Sequence, residues 1–120
     1  MIRLDKDLVM LNENGKQIPV YIEGDAPAPA DLPDEYFTVS EDSTGNALSA
    51  DNKAQEHLYE FTLAWYTKDP TRLYTGLQEA IKYLLGKGYD IEGVGYGNGT
   101  YNNTWFSRAV DVEKIENLED

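Results

Sequence analysis

Residues 55–67 read QEHLYEFTLAWYT, and the alternation of side chains along this stretch decides the fold. Large apolar side chains fall on one side of an extended chain and mostly polar or smaller ones on the other: Tyr59, Phe61, Leu63 and Trp65 against Glu60, Thr62, Ala64 and Tyr66. A period of two is typical of a strand with one buried face. We therefore expect a long strand here, with its aromatic side toward a core.

The period changes directly after this strand. Asp69 is predicted as an N-cap and Pro70 as the first helical residue, where its missing N–H costs nothing. Apolar residues then recur at helical spacing, at Leu73, Leu77, Ala80, Ile81 and Leu84. Lys87 and Gly88 are predicted to end this amphipathic helix.

Four shorter segments complete the expected sheet. Residues 18–22 (IPVYI) predict an edge strand, because Pro19 cannot donate to a ladder, and residues 36–41 (YFTVSE) predict another strand. Two closing strands are expected in residues 89–96 (YDIEGVGY) and 104–115 (TWFSRAVDVEKI), with Phe106, Val110 and Val112 on one face of the last. Proline-rich residues 23–35 and polar residues 42–52 predict loops.

The first 17 residues allow two interpretations. Leu4, Leu8 and Leu11 have helical spacing with Gly15 placed as a stop, which slightly favours a short helix. Asn14-Gly15 is also a strong hairpin-turn signal. An acidic tail, residues 116–120, is expected to fray.

Together these elements predict a single α+β domain over residues 1–120, an antiparallel sheet packed on one face by one or two helices. The chain of 120 residues is long enough for one core, and 41% hydrophobic residues argue against disorder. No apolar run reaches the roughly 20 residues that span a bilayer, and residues 1–11 do not resemble a signal peptide. We therefore expect a cytosolic protein that does not interact with membranes.

The net charge of −12 is concentrated in one region. Between Glu23 and Glu60 ten acidic residues face one base, Lys53, which gives −9 for that segment. Because nucleic-acid affinity depends on cations that displace counterions, such a chain is not expected to read nucleic-acid sequence. The acidity could serve solubility or a specific role, and the sequence leaves both open.

No catalytic or cofactor-binding motif stands out. The only histidine, His57, lies beside Glu56 without a nucleophile signature nearby, so a solvated strand residue is the simpler interpretation. The chain has no cysteine, and residues 41–46 do not fit the calcium-loop spacing. We expect no metal and no cofactor.

Residues 93–104, GVGYGNGTYNNT, suggest a phosphate-binding loop but do not fit one. No lysine follows the glycines, and a strand rather than a helix is expected next. Asn98-Gly99 instead predicts a hairpin turn, with Gly93, Gly95 and Gly97 allowing a bend or bulge. The flanking aromatics could dock a neighbouring subunit or pack locally, and both remain open.

Residues 36–93, YFTVSEDSTGNALSADNKAQEHLYEFTLAWYTKDPTRLYTGLQEAIKYLLGKGYDIEG, resemble the tail-completion, or head-to-tail joining, proteins of long-tailed phages and prophages. The shared layout is a short strand after a proline-rich segment, a polar loop with Ala50-Asp51-Asn52, a long strand ending in Trp65-Tyr66-Thr67-Lys68, a helix and a closing hairpin. The resemblance covers roughly residues 18–115 and carries no catalytic signature.

That resemblance implies a non-enzymatic structural protein with a fold similar to lambda-type tail terminators. It implies a ring, usually of six copies, between the tail-tube protein and the head connector proteins, located in the virion at the head-tail junction after assembly in the bacterial cytoplasm. DNA would pass through without adhering. Carried onto this sequence, the expected subunit contacts are Tyr96, Asn98, Gly99, Tyr101 and Trp105, and the expected acidic channel wall includes Glu41, Asp42, Asp51 and Glu56.

The sequence is compatible with two other functions. A small acidic protein could inhibit a basic, nucleic-acid-binding partner by mimicking phosphates, in which case its binding should depend strongly on salt. A minor hydrolase using His57 is a third interpretation, and replacing His57 by alanine should then abolish activity.

Overall fold

The structure, a computed structural model, describes residues 2–46, 56–101 and 105–117, and within these ranges it leaves out the side chains of residues 29, 43–46, 93–101 and 117. Two α-helices and five strands follow one another in the order α1 (Leu4–Asp7), β1 (Val20–Ile22), β2 (Glu35–Asn46), β3 (Glu56–Thr67), α2 (Arg72–Gly86), β4 (Asp90–Tyr101) and β5 (Trp105–Asn117).

The five strands form one sheet in the order β1-β2-β3-β5-β4. Neighbouring strands are antiparallel except that β1 runs parallel to β2, because residues 23–34 carry the chain back across the sheet. The α+β class is therefore confirmed, with a mixed sheet in place of a wholly antiparallel one. β1 is an edge strand, as Pro19 predicts.

The core lies between α2 and one face of the sheet. Tyr59, Phe61, Leu63 and Trp65 of β3 are all buried, as their alternation predicts. Strand pairing places Val112 beside Phe61 and Val110 beside Leu63. The helix contributes Leu77, Ala80 and Leu84, each fully buried, and Leu73 and Ile81 pack at the margin of the core. The predicted helical stripe is confirmed.

Helix α2 begins two residues later than predicted. The assigned N-cap is Thr71, which makes no side-chain cap hydrogen bond. The Asp69 carboxylate nevertheless accepts hydrogen bonds from the Thr71 backbone N–H (2.9 Å) and hydroxyl (2.7 Å), as expected of a capping side chain ahead of the helix. The Asp69 carbonyl also accepts from the Arg72 N–H at 3.0 Å, so residues 69–72 form a turn that precedes the helix. At the other end, Lys87 is the C-cap and Gly88 has φ +90°, which confirms the predicted stop.

Both interpretations of the N-terminal segment are partly right. A helix forms only over Leu4–Asp7, and the chain then reverses through a turn in which Gly15 has φ +76°. The Ile18 N–H donates to the Met10 carbonyl at 2.7 Å across that turn. Leu4, Leu8 and Ile18 reach the core from both arms of the turn.

Two hairpin boundaries differ from those predicted. β2 continues to Asn46 through an irregular register between Glu41 and Ser43, so the predicted polar loop starts too early, and residues 47–55 lie outside the described ranges. In the second hairpin Gly99 pairs with Ser107 and Tyr101 with Trp105, so the predicted turn at Asn98-Gly99 is wrong. Residues 102–104, between β4 and β5, lie outside the described ranges.

Pairing across the sheet explains both differences. Each hairpin gains ladder hydrogen bonds and cross-strand contacts by extending, which outweighs the turn preference of a short polar segment. The predicted bulges of the glycine-rich strand are confirmed as register shifts between Glu92 and Tyr96 and between Tyr96 and Gly99. Glu116 and Asn117 belong to β5, so the prediction that they fray is wrong, and residues 118–120 lie outside the described ranges.

Candidate functional site: the acidic face of the sheet

The sheet face opposite α2 is divided into two ends of different chemistry. At the end where β3 finishes and β5 begins, Tyr36 and Trp105 are only 3% and 4% exposed although α2 lies on the other face. Tyr36 stacks on Tyr66 with ring centroids 4.6 Å apart and meets Trp105 edge-on at 6.2 Å. This end is therefore an aromatic cluster.

The proline-rich crossover contacts this aromatic cluster. The indole Nε1 of Trp105 donates a hydrogen bond to the Pro33 carbonyl at 3.1 Å, and the Lys68 ammonium lies 4.7 Å from the Trp105 ring centroid. Trp105 was expected at a subunit contact, but its side chain is already used within the protomer. Its burial leaves little surface for a neighbour.

The other end of the same face is acidic and open. We call it the acidic face, and it comprises six carboxylates on β2, β3, β4 and β5: Asp42, Glu60, Asp90, Glu92, Asp111 and Glu113. Strand register brings these residues together, because Glu113 pairs with both Glu60 and Asp90, and Asp111 pairs with Glu92. Among the described side chains of the strands on this side, none is lysine or arginine.

Asp42, the extra residue at the β2 register shift, lies on this face. Its carboxylate accepts hydrogen bonds from the hydroxyls of Ser40 (3.2 Å) and Thr62 (2.5 Å). The same Thr62 oxygen lies 3.3 Å from Oδ1 of Asp111. A hydroxyl has one hydrogen, so Thr62 can donate to only one of the two carboxylates at a time. The arrangement holds the two carboxylates close together.

Glu113 lies at the centre of the acidic face. Partial burial raises the pKa of the Glu113 carboxyl, and a hydrogen bond with Glu92 together with the charges of Glu92, Glu60 and Asp90 raises this pKa further. Like charges therefore repel one another on a rigid sheet. Such a surface repels polyanions and attracts cationic groups.

The four expected wall residues do not share one surface. Asp42 belongs to the acidic face, and Glu56, exposed as the first residue of β3, alternates onto the same side. Glu41 points to the helix-covered side, where it lines a small pocket with Ile22 and Phe61. Asp51 lies outside the described ranges. Glu60 belongs to the acidic segment from Glu23 to Glu60 that the sequence singles out, whereas Asp90, Glu92, Asp111 and Glu113 were not expected on the wall, although their alternation with apolar residues in the strands could have indicated them.

The expected subunit-contact residues lie along one edge strand. Tyr96, Asn98, Gly99 and Tyr101 all belong to β4, the strand at the edge of the sheet beside β5. Their side chains are outside the described set, so only the backbone pairing of this group is known. The strand brings these four together, while Trp105 lies on β5.

A polar groove of about 610 Å³ lies at the aromatic end, between the N-terminal turn and the start of α2. On its wall Glu35 accepts hydrogen bonds from Arg72 Nε (2.6 Å) and from the Thr67 hydroxyl (2.8 Å). The lining contains three cationic and four acidic side chains, so the groove carries almost no net charge. These contacts tie the first turn of α2 to β2 and β3.

The described residues provide little for catalysis or metal binding. His57 is half-buried, with its ring 4.6 Å from that of Tyr59, and strand pairing places it beside Glu116. Within the described ranges, no group of three or more His, Asp or Glu residues is arranged to hold a metal ion. None of the helices in these ranges is long and apolar enough to cross a membrane.

Comparison with known proteins finds no match among family models, curated proteins or solved structures.

Proposed function

We propose that this chain is a structural phage morphogenesis protein that completes the tail and joins it to the head connector as a ring around the DNA channel. The observation that carries the proposal is the acidic face: six carboxylates on four adjacent strands of a rigid sheet, opposite the helix-covered core. The layout resemblance to tail-completion proteins supplies the biological setting. The protein acts through contacts with itself, the tail-tube protein and head connector proteins.

In this proposal the acidic face lines the channel. DNA carries one negative charge per roughly 1.7 Å of helix axis, and a protein binds it by neutralising phosphates with cations. A wall of carboxylates repels the phosphates instead, so the genome slides past without adhering. Six copies at −12 each would total −72. The sheet suits this role because cross-strand pairing fixes the carboxylates in place.

Imaging and mass measurement test the assembly. Negative-stain images of the purified protein, alone and mixed with its tail-tube protein, are expected to contain rings with an open centre, and the particle mass is expected to be a multiple of the subunit mass. Particles without a central opening under both conditions would contradict the proposal.

A charge-reversal pair tests which surface lines the channel. Glu60→Lys with Glu113→Lys changes the acidic face, and Glu23→Lys with Glu79→Lys makes the same change in net charge on other exposed positions. Rings of the first variant are expected to retain DNA at low salt and to release it as salt rises, because the new cations displace counterions. Equal DNA retention by the two variants would contradict an acidic channel wall.

The same face also favours a second candidate, a small acidic protein that inhibits a basic nucleic-acid-binding partner. Clustered carboxylates present charge in the way that a row of phosphates does. This candidate predicts a protein that stays small and binds a basic partner with an affinity that falls steeply with salt. If rings form with the tail-tube protein, that result would favour the first function over this one.

A further inference from the structure

We propose that Arg108 of β5 is a binding site for a carboxylate that a second copy of this chain supplies. The inference rests on the proposed ring function and names a residue through which neighbouring subunits meet. It is carried by a partly buried guanidinium that finds no acceptor within the described part of its own chain.

Arg108 lies at the margin of the core, on the α2 side of the sheet. It pairs with Trp65 of β3, which is buried under α2, so the two side chains share one face. The guanidinium carbon is 5.3 Å from the ring centroid of Tyr74 on α2, and that tyrosine is 56% exposed. The Tyr74 ring therefore holds the guanidinium close to the surface of the protomer.

The Nε atom of Arg108 is buried and has no hydrogen-bond acceptor among the residues that the structure describes. Leaving a buried donor unmade costs about 1–3 kcal/mol, and more when the group is charged. The other two arginines are each paired, Arg3 with Asp5 at 2.8 Å and Arg72 with Glu35 at 2.6 Å. A chain with 22 acidic residues and ten basic ones thus leaves this guanidinium without a carboxylate in the described ranges.

The neighbouring part of the sheet cannot supply that carboxylate. Beside Arg108, Tyr96 of β4 pairs with Ala109 and Gly99 pairs with Ser107. Residues 93–104 contain no aspartate or glutamate, so their side chains can offer at most a neutral acceptor. The charge of the guanidinium would still be unpaired.

The acidic residues outside the described ranges are too far along the chain. Asn117 is nine residues beyond Arg108 on the same strand, or about 30 Å away, and residues 119–120 follow it. Asp51 precedes Glu56 by five residues, and Glu56 pairs with Asn117 at that same distant end. Because five residues span at most about 17 Å, the carboxylate has to come from another molecule.

The charge of the subunit favours a second copy as that molecule. Each copy carries a net charge of −12, so two copies repel one another unless a cation of one faces a carboxylate of the other. Helix α2 contains one acidic residue, Glu79, whose charge acts on Arg72 at the opposite flank. Arg108 therefore offers an approaching acidic subunit a cation that the helix does not neutralise.

A carboxylate suits this site better than a nucleic acid does. A guanidinium can donate two parallel hydrogen bonds to a single carboxylate, which adds geometric specificity to the charge. Nucleic-acid affinity depends on several cations that neutralise successive phosphates. One guanidinium against one tyrosine ring matches the smaller ligand.

Substitution of Arg108 tests the site. Arg108→Gln removes the charge, Arg108→Lys keeps the charge without the planar fork, and Lys16→Gln removes an exposed charge elsewhere. Association is measured by sedimentation velocity over a range of protein concentrations, with and without tail-tube protein. We expect Arg108→Gln to weaken association at least tenfold, or about 1.4 kcal/mol, Arg108→Lys to weaken it less, and Lys16→Gln to behave as wild type.

The stability of the monomer separates a binding role from a structural one. Arg108 has no acceptor in the described protomer, so Arg108→Gln should unfold in urea at the same concentration as wild type or a higher one. A variant that loses monomer stability along with association would assign Arg108 to the fold and overturn the inference.

A charge swap identifies the source of the carboxylate. Arg108→Glu should block association, and replacing each acidic residue by lysine in turn, in the Arg108→Glu background, should restore it for the residue that faces position 108. Failure of every such pair overturns a second copy as the source. Loss of tail-tube binding with unchanged self-association would overturn it as well, because the tail-tube protein would then supply the carboxylate.

The remaining outcomes distinguish this inference from the proposed function. Rings that form as readily from Arg108→Gln as from wild type overturn the inference and leave the proposed function standing. Open chains or dimers that Arg108→Gln disrupts support the inference while contradicting the proposed ring. A wild-type protein that stays monomeric under every condition contradicts both.

Discussion

Gly76 of α2 packs directly against the indole ring of Trp65 on β3, so closely that a Cβ at position 76 would lie 2.7 Å from the Trp65 Nε1 atom. The same indole N–H donates a hydrogen bond to the Arg72 carbonyl at 3.0 Å. The helix is thus held to the strand by ring contact and by a hydrogen bond near its first residue. This packing lies on the core side of the sheet, opposite the side that carries the acidic face.

Gly76→Ala is expected to destabilise the protein by about 1–3 kcal/mol, because the added methyl group overlaps the indole ring. This loss should exceed the gain in helix propensity, which is about 1 kcal/mol for glycine to alanine. Gly86→Ala is the matched control, since a Cβ there meets no atom within 4 Å, and this change should be neutral or stabilising. Urea denaturation measures both, and equal effects would contradict the close packing at Gly76.

Tyr89→Phe should cost about 1–2 kcal/mol of stability, because it removes the hydrogen bond from the Tyr89 hydroxyl to Asp7 (2.6 Å) and leaves the half-buried carboxylate without that donor. Burial raises the pKa of Tyr89 above its usual range, and the hydrogen bond to Asp7 raises it further, so the hydroxyl stays protonated and donates at neutral pH. Tyr74→Phe removes an exposed hydroxyl and should change little. Thermal unfolding of the two variants is the comparison, and a similar midpoint for both would show that the Asp7 contact is unimportant.

A double-mutant cycle at Glu35 and Arg72 should yield a favourable coupling of about 1 kcal/mol, since their charged side chains meet at 2.6 Å and are 16% and 20% exposed. Arg72→Met alone should be more destabilising than the pair Glu35→Gln with Arg72→Met, because it leaves the Glu35 carboxylate with only the Thr67 hydroxyl. The Lys68–Asp34 pair, at 3.3 Å with Asp34 84% exposed, is the control. Its coupling should be smaller, and equal values would imply that burial adds nothing at Glu35.

Glu113→Gln should stabilise the protein at neutral pH by up to about 0.5 kcal/mol, because it removes one of the repelling charges on the acidic face. The folded pKa of Glu113 is raised above its unfolded value, so the folded state holds the proton more tightly. The wild type therefore gains stability as pH falls through the raised pKa, and its stability decreases again as pH rises. The difference between variant and wild type should disappear below pH ~3, where a glutamate is largely protonated in either state.

Unfolding free energies of the wild type and of Glu113→Gln, measured between neutral and acidic pH, test the direction of this pH dependence. Glu23→Gln removes one exposed negative charge elsewhere and should give a smaller gain that varies less with pH. A stabilisation by Glu113→Gln that grows as pH falls would contradict the repulsion on the acidic face.

The local sequence pattern was enough to predict the elements with the strongest periodicity. The alternation of residues 55–67 determined which side of β3 is buried, and the helical spacing from Leu73 to Leu84 determined the buried stripe of α2. These predictions succeed because burial of apolar surface is the largest favourable term in folding, and the spacing of apolar residues in the sequence shows directly which face must be buried. Pro19 likewise identified the edge strand, since a missing N–H is a local property.

Tertiary structure alone decided the strand partners and therefore the candidate site. Register between strands far apart in the chain brought Glu60, Asp90, Asp111 and Glu113 onto one surface, and no local pattern specifies such pairing. The turn signal at Asn98-Gly99 was overridden for the same reason, because continued pairing with β5 is worth more than a turn preference. Trp105, which sequence suggests as an exposed contact, became a buried hydrogen-bond donor to Pro33 once the crossover closed over it. The sequence by itself determined where apolar surface must be hidden, and the assembled sheet determined which charges meet on the side left open.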